Sequence, residues 1–381
     1  MNIAFDAVPL ISDRITGIGW CEAGQTMALA RLHPENKYTY NFFSRKDDHI
    51  KLERIKPFAG DNIGTNLVHF SGYIYRAAST FVPIPYKHFF GKNDDLTHFF
   101  NYIVPPGVHG KTVVTVHDMV YKAFPETVRA RTKYMLDTGL KSSMKRADLI
   151  VTDSEFSKSE ILKYFPQHEN KLRVVPCGVD LERFRPCEKP ERIPEVKKSL
   201  GIEGNYFLYV GTIEPRKNLE RLIEAYHILT QRVKDAPKLV LAGGKGWLYD
   251  SIFAKVTELG LSEKVIFTQY VPSEDMNPLM CGAIAFVFPS VYEGFGMPPL
   301  EAMACGVPVI SSGEASLPEV TGDCAVICDA YSPESIAEGL FSLYSDDNLR
   351  KELGRRGYER AQTFTWERSA EILYKVYEEL F

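Results

Sequence analysis

Glu293 and Glu301 flank a loop of seven residues, Gly294-Phe295-Gly296-Met297-Pro298-Pro299-Leu300. Carboxylates repel phosphate but accept hydrogen bonds from hydroxyls, so the pair suits a polyol such as a sugar or a ribose. Gly294 and Gly296 allow the backbone to approach a ligand closely and to aim its N–H groups outward. Pro298-Pro299 mark a helix start, where a missing N–H costs nothing. Glu301 also stands about where a capping-box glutamate would, which leaves a structural reading open for it. Glu293, inside a glycine loop, has no routine structural task.

A second chemical segment is Gly211-Thr212-Ile213-Glu214-Pro215-Arg216-Lys217-Asn218, placed between a strand and a helix. Unpaired N–H groups at a helix start, the positive end of its dipole and two adjacent cations make an anion site. Charge-assisted hydrogen bonds of roughly 1.5 to 3 kcal/mol each are enough to anchor a diphosphate. An exposed basic turn is the plain alternative. Nearer the start, Arg14-Ile15-Thr16-Gly17-Ile18-Gly19-Trp20 is a short glycine-rich turn entering a helix, a weak signal by itself. His117-Asp118 ends another strand, where a histidine either touches a ligand or serves the fold. Gly243-Gly244-Lys245-Gly246 ends a further strand and is either an ordinary turn or a wall of the nucleotide pocket.

These residues need a frame that brings loops after strands together. Short apolar runs alternate with helical patterns along the chain, as in parallel sheets with crossover helices. Strands are expected at 3–8, 67–70, 97–100, 112–116, 149–152 and 172–175, then at 206–210, 239–242, 265–268, 284–288, 307–310 and 325–327. Helices are expected at about 18–31, 129–146 and 155–164, then at 218–233, 248–259, 299–305, 333–344 and 347–361. The fold class is therefore α/β, two Rossmann-like doubly wound domains, with a cleft at the carboxyl ends of their strands. Three prolines in the charged stretch Arg185–Pro194 suit a linker. They divide a domain at 1–188 from one at 189–363, with a last helix at about 364–381. Residues 40–95 are the least readable; the aromatic and basic mixture of Tyr73 to Lys92 is either an irregular insertion or an acceptor or membrane surface.

Composition excludes several classes. The 381 residues, 45% hydrophobic and 25% charged, describe a globular chain of two or three domains rather than a disordered or stapled one. A net charge of −4 argues against general nucleic-acid binding. The charge is uneven: residues 1–190 carry 26 basic against 21 acidic groups, and residues 191–381 carry 19 against 28. The seven cysteines form no C-x-x-C pair and read as free thiols in a reducing cytosol. No apolar run approaches the ~20 residues needed to span a bilayer. A cytoplasmic protein is expected, soluble or at most attached to the inner face of a membrane. There is no D-x-D, no P-loop and no G-x-S-x-G. A departing diphosphate would therefore be stabilised by fixed cations, with no metal and no separate cofactor.

Taken jointly, these segments resemble the retaining glycosyltransferases of GT-B fold, the group 1 glycosyl transferases also called glycosyltransferase family four. Glu293 to Glu301 looks like the family's E-x7-E motif and Arg216-Lys217 like its basic phosphate pair. Gly17 to Gly19, His117-Asp118 and Val174-Val175-Pro176-Cys177-Gly178-Val179-Asp180 with Phe184 are similar to further family segments. The resemblance implies metal-independent transfer of a sugar from a nucleotide diphosphate donor with retention at the anomeric carbon. Arg216 and Lys217 would hold the diphosphate and Glu301 the ribose. Glu293 would grip the donor sugar with the backbone of Phe295, Gly296 and Met297. His117 would contact that sugar from the first domain, Gly17 and Gly19 would close over phosphate and acceptor, and Val271 would lie near the base. Asp118, Gly211, Gly294 and Leu300 complete the expected donor site, and the final helix, Trp366 to Leu380, would cross back onto the first domain.

Ala315-Ser316-Leu317-Pro318-Glu319-Val320-Thr321-Gly322-Asp323 resembles bacterial mannosyltransferases of O-antigen and exopolysaccharide synthesis. GDP-mannose is thus the first donor to expect, with UDP-glucose or UDP-N-acetylglucosamine behind it. The acceptor is a glycan or a lipid-linked saccharide, and the basic first half suits association with a membrane surface. A sugar-nucleotide 2-epimerase of the same fold and a non-catalytic sugar-nucleotide sensor remain as alternatives.

Overall fold

Two parallel sheets carry the chain. In the computed structural model, which describes residues 1–72, 74–75 and 82–381, the first sheet has the order β3-β2-β1-β4-β5-β6-β7. Its strands are β1 (Asn2–Asp6), β2 (Lys37–Ser44), β3 (Ile63–His69), β4 (Leu96–Phe99), β5 (Lys111–Thr115), β6 (Leu149–Thr152) and β7 (Leu172–Val174). The second has the order β10-β9-β8-β11-β12-β13. Its members are β8 (Tyr206–Val210), β9 (Lys238–Ala242), β10 (Val265–Gln269), β11 (Ala285–Phe288), β12 (Val309–Ser312) and β13 (Ala325–Cys328). In both sheets the order reverses beside the first strand, the point at which doubly wound folds bind ligands.

The central strands are buried along their whole length, as sheets covered on both faces require; β6, β11 and β12 are buried at every position. One unit comprises Met1–Ala123, Ala130–Gly178 and Trp366–Phe381, and the other Phe124–Arg129 and Val179–Thr365. Within the first unit the helix Trp366–Glu378 lies against the helix Gly17–Leu32. Gln25 Nε2 donates to Ser369 Oγ at 3.0 Å, and His33 stacks on Tyr374 with centroids 3.5 Å apart. A Cβ on Gly24 would stand 2.2 Å from the Trp366 ring, so the absence of a side chain there sets how closely the two helices approach.

Departures from the expected elements have local causes. β2, a full strand of the sheet, falls partly in the stretch that reads poorly, because Asn41 and Ser44, residues typical of turns, are core there. Tyr38 and Tyr40 are fully buried, with their hydroxyls bonded to Leu29 O at 3.2 Å and Thr26 Oγ1 at 2.6 Å. β3 begins at Ile63 rather than 67, and the helix Asp48–Ile55 precedes it. The proline-rich stretch does not stay irregular to its end: the helix Arg192–Ser199 takes Pro194 in its first turn, where a proline is tolerated. The strand expected at 307–310 runs from Val309 to Ser312. Tyr73 and residues 76–81, part of the aromatic and basic mixture, lie outside the described residues.

Candidate active site

In the second unit the chain leaves β8 through Gly211, passes a short 3-10 turn at Pro215–Lys217 and enters the helix Leu219–Arg232 only after Asn218. Arg216 and Lys217 thus sit on a tight turn ahead of the helix, as the helix expected from 218 implies. Asn218 anchors that turn from a left-handed backbone conformation, its amide donating to Pro289 O at 3.0 Å and Ala330 O at 2.6 Å. A neighbouring loop braces it: Ile213 N donates to Gly244 O, Gly246 N to Ile213 O, and a Cβ on Gly243 would strike Gly211 O at 1.9 Å. The Gly243–Gly246 turn therefore supports the cationic loop from behind.

Glu293 joins that loop. Lys217 Nζ donates to Glu293 Oε1 at 2.6 Å; Arg216 Nη1 donates to Glu293 Oε2 at 2.8 Å and to Tyr292 O at 2.7 Å. On its other edge Arg216 meets Glu214, Nη2 to Oε1 at 2.8 Å. Glu293 and Lys217 are both buried. Burial would raise the Glu293 carboxyl, but Arg216 and then Lys217 overrule it and hold it down to about 2. Burial lowers the Lys217 ammonium and neighbouring Arg216 lowers it further, against the pull of Glu293 and Glu214. The result is a largely buried cluster of two cations and two carboxylates, built from two loops that follow parallel strands.

The loop after Glu293 is fixed by one hydroxyl. Ser316 Oγ is 2.9 Å from Glu293 O and 2.8 Å from Phe295 O, which leaves Gly294 and Gly296 to turn around it. Gly296 has φ +112°, and a Cβ there would meet Leu317 at 2.7 Å, so the bend needs a glycine twice over. Met297 opens the helix Met297–Ala304, with Leu300 fully buried and Glu301 half-buried on it. Gly296 precedes that helix and no side chain caps it, so Glu301 does not serve a capping box. Its surroundings push the Glu301 carboxyl up to about 7, burial foremost, with Arg183 opposing and Asp180 adding. Val271 is buried just beyond β10.

In the first unit Gly17 and Gly19 form the first turn of the helix Gly17–Leu32 rather than a turn before it. Nothing lies within 4 Å of where a Gly17 Cβ would stand, whereas Gly19 is packed on Ile15 and Pro9. His117 follows β5 and is buried, with Nδ1 2.7 Å from Asp153 Oδ2 and Nε2 2.7 Å from Phe100 O. Asp118 Oδ1 accepts from Val120 N at 3.1 Å. The cationic pair and Glu293 are thus brought together, Glu301 faces Arg183 and Asp180, and His117 pairs with an aspartate. Glu214, Asn218, Ser316 and Asp153 escape notice in the sequence. For Asp153 a signal existed, a carboxylate directly after an apolar strand. All seven cysteines are free thiols. Cys21, Asp153 and Cys177 place three donor atoms within 4.8 Å of one another, one fewer than a tetrahedral structural site takes.

Two doubly wound parallel sheets define an α/β class in which ligands bind at the carboxyl ends of the strands, and comparison with known proteins gives the family. The family described as "Glycosyl transferases group 1" matches residues 192–360, and "Glycosyltransferase Family 4" matches residues 27–183. The chain is 36% identical over 278 residues to O-antigen chain mannosyltransferase B of Escherichia coli, covering 72% of this chain and 71% of that one. Sucrose-phosphate synthase from Thermosynechococcus elongatus superposes with a TM-score of 0.76 at 20% identity, covering 100% of this chain and 99% of that one. HepE of Anabaena, in complex with UDP and glucose, does so at 0.73 and 18%, covering 100% of both. The chain belongs to the group 1 glycosyl transferases of GT-B fold and is a glycosyltransferase. Among the described residues no helix is long and apolar enough to cross a membrane.

Proposed function

We propose that the chain is a retaining, metal-independent hexosyltransferase that moves mannose from GDP-mannose to a glycan or lipid-linked acceptor in polysaccharide synthesis. The observation that carries this reading is the pairing of Glu293 with both Lys217 and Arg216 at 2.6 and 2.8 Å. Two cations held ready by one buried carboxylate are a preformed anion site whose present occupant is a side chain. A donor diphosphate takes over the cations, and Glu293 is released to the hydroxyls of the sugar beside it. Glu301 accepts from the ribose, and the N–H groups from Phe295 to Met297 grip the sugar with Gly294 and Gly296 giving room. Gly211 lets the phosphates approach, Val271 and Leu300 line the base side, and Gly17, Gly19, His117 and Asp118 serve from the first unit.

Bond cleavage loads negative charge on the diphosphate and positive charge on the sugar. Preorganised cations on one side and a carboxylate near the other lower that barrier without a metal. The acceptor attacks the same face that the diphosphate leaves, and the departing phosphate takes the acceptor proton. The mannosyl donor is supported by the O-antigen mannosyltransferase relative. The test is nucleotide release from a panel of GDP- and UDP-sugars in the presence of acceptor saccharides. Release should be fastest from GDP-mannose, and Lys217→Ala and Glu293→Ala should each lower turnover about 100-fold, the scale of one lost transition-state stabiliser. Near-wild-type transfer by either variant would refute the assignment, and faster release from a UDP-sugar would replace the donor. The excess of basic residues in the first half suits an anionic membrane surface carrying the acceptor. Binding to anionic vesicles should then weaken as salt rises, and absent or salt-independent binding would remove this part of the reading.

A further inference from the structure

His117 makes two hydrogen bonds through its ring, and both partners are acceptors. Nδ1 is 2.7 Å from the Asp153 carboxylate, and Nε2 is 2.7 Å from the backbone carbonyl of Phe100. A carbonyl oxygen and an ionised carboxylate have no proton to give, so both ring nitrogens carry one. The orientation is fixed from several sides. Tyr102 packs edge-on at 5.7 Å, and Ser157 Oγ donates to the His117 carbonyl at 2.9 Å. The Phe100 ring stacks on His98 at 3.9 Å, and His98 is itself tied to Tyr377 and Thr115 at 2.7 and 2.8 Å.

We propose that Asp153 is a positioning residue that keeps His117 doubly protonated and in one ring orientation, so that His117 serves glycosyl transfer by its fixed placement and not as a general acid or base. The proposal rests on the reading of His117 as a donor-side residue given above. The groups facing the ring agree with it. Burial alone would lower the His117 imidazolium, but the Asp153 charge, its hydrogen bond, the Cys21 thiol and the Phe100 carbonyl together lift it to about 10. On β4, His98 is held well below its ordinary value by burial and by the charge on His117, and stays neutral. Behind Asp153 the Cys177 thiol is pushed well up, first by its contact with Cys21 at 3.4 Å and then by burial, and brings no second negative charge. The imidazolium and Asp153 therefore balance each other. Because the ring N–H groups are spent inside the first unit, the side chain brings a fixed shape to the reaction rather than a mobile proton.

Two experiments on the full-length protein test this. In wild type, nuclear magnetic resonance of labelled histidine, with His117→Gln to assign the signal, should show the doubly protonated ring from pH 6 to pH 9. A ring that turns neutral with a midpoint near the ordinary 6.5 would overturn the proposal whatever the activity. The second is the pH profile of GDP release from GDP-mannose by Asp153→Asn. An asparagine keeps an acceptor for Nδ1–H but removes the charge. His117 then loses the charge that outweighs its burial and turns neutral within the working range, and the rate should fall at least about tenfold between pH 5 and pH 8, a limb absent from wild type. A merely structural role for Asp153 would lower the rate evenly across pH, and that outcome rejects the proposal. If His117→Gln transfers as fast as wild type, the donor-side reading of His117 fails and takes the proposal with it. If His117→Gln is impaired while Asp153→Asn keeps the wild-type profile, the proposal alone fails.

Discussion

Glu293 keeps its charge down to a pH of about 2 because Arg216 and Lys217 outweigh its burial, whereas burial pushes Glu301 up to about 7 against the pull of Arg183. One residue of the motif is therefore ionised throughout the working range and the other is set by the medium. An ionised carboxylate accepts from ribose hydroxyls better than an acid does. Donor affinity should rise several-fold as pH increases from 6 to 8, and in Glu301→Gln that dependence should vanish; calorimetric titration with GDP-mannose at three pH values measures both. The stability sign is opposite. A carboxyl raised from 4.5 contributes stability that is fully present below 4.5 and is lost as pH climbs through about 7. An unchanged affinity across this range would mean that Glu301 does not meet the donor. Glu293 stood out in the sequence as a carboxylate inside a glycine loop, whereas Arg216 and Lys217 read equally well as an exposed basic turn, and the structure pairs all three. Asp153 was not, because its pairing with His117 is made only by the register of β5 on β6.

Among the elements, agreement between sequence and structure follows burial. β6 and β8 are readable to the residue because parallel strands covered on both faces are continuous apolar runs. β2 was obscured by Asn41 and Ser44, residues typical of turns that the fold buries. The 3-10 turn at Pro215–Lys217 was unreadable, although the helix after it begins within one residue of the expected 218, since nothing local reveals that Asn218 will adopt a left-handed conformation to reach Pro289 and Ala330. Which residues of two helices touch was unreadable for the same reason. Gly24 looks like a weak point in a helix, but it is where Trp366 sits. Gly24→Ala gains helix propensity of up to about 1 kcal/mol and loses more by forcing the helices apart, so the net should be a destabilisation of roughly 1 to 3 kcal/mol. Urea unfolding followed by tryptophan fluorescence reads it, and an equal or higher midpoint would show that the Trp366 ring moves aside at little cost.

At the scale of the molecule, the order of the chain and the order of the units differ. The last sixteen residues belong to the first unit, although the second unit separates them from it in sequence. Their contribution is specific: Ala370, Leu373, Val376 and Tyr377 are buried in the first unit's core, Tyr377 bonds His98, Ser369 donates to Pro176 O at 2.6 Å, and Arg173 pairs with Glu379 at 2.6 Å. Large apolar side chains contribute about 1.5 to 3 kcal/mol each when fully buried. Removing Trp366–Phe381 would thus take several kcal/mol from a unit whose net stability is on the order of 5 to 15 kcal/mol. The second unit holds its sheet, the Arg216, Lys217 and Glu293 cluster, and Glu301 without these residues. A chain ending at Thr365 should therefore show hydrogen exchange that is fast in β1–β7 and still protected in β8–β13, with transfer lost because His117 is no longer held. Uniform loss of protection would mean that the second unit folds only on a complete first one, and unchanged protection in β1–β7 would mean that the terminal helix is dispensable to the core it covers.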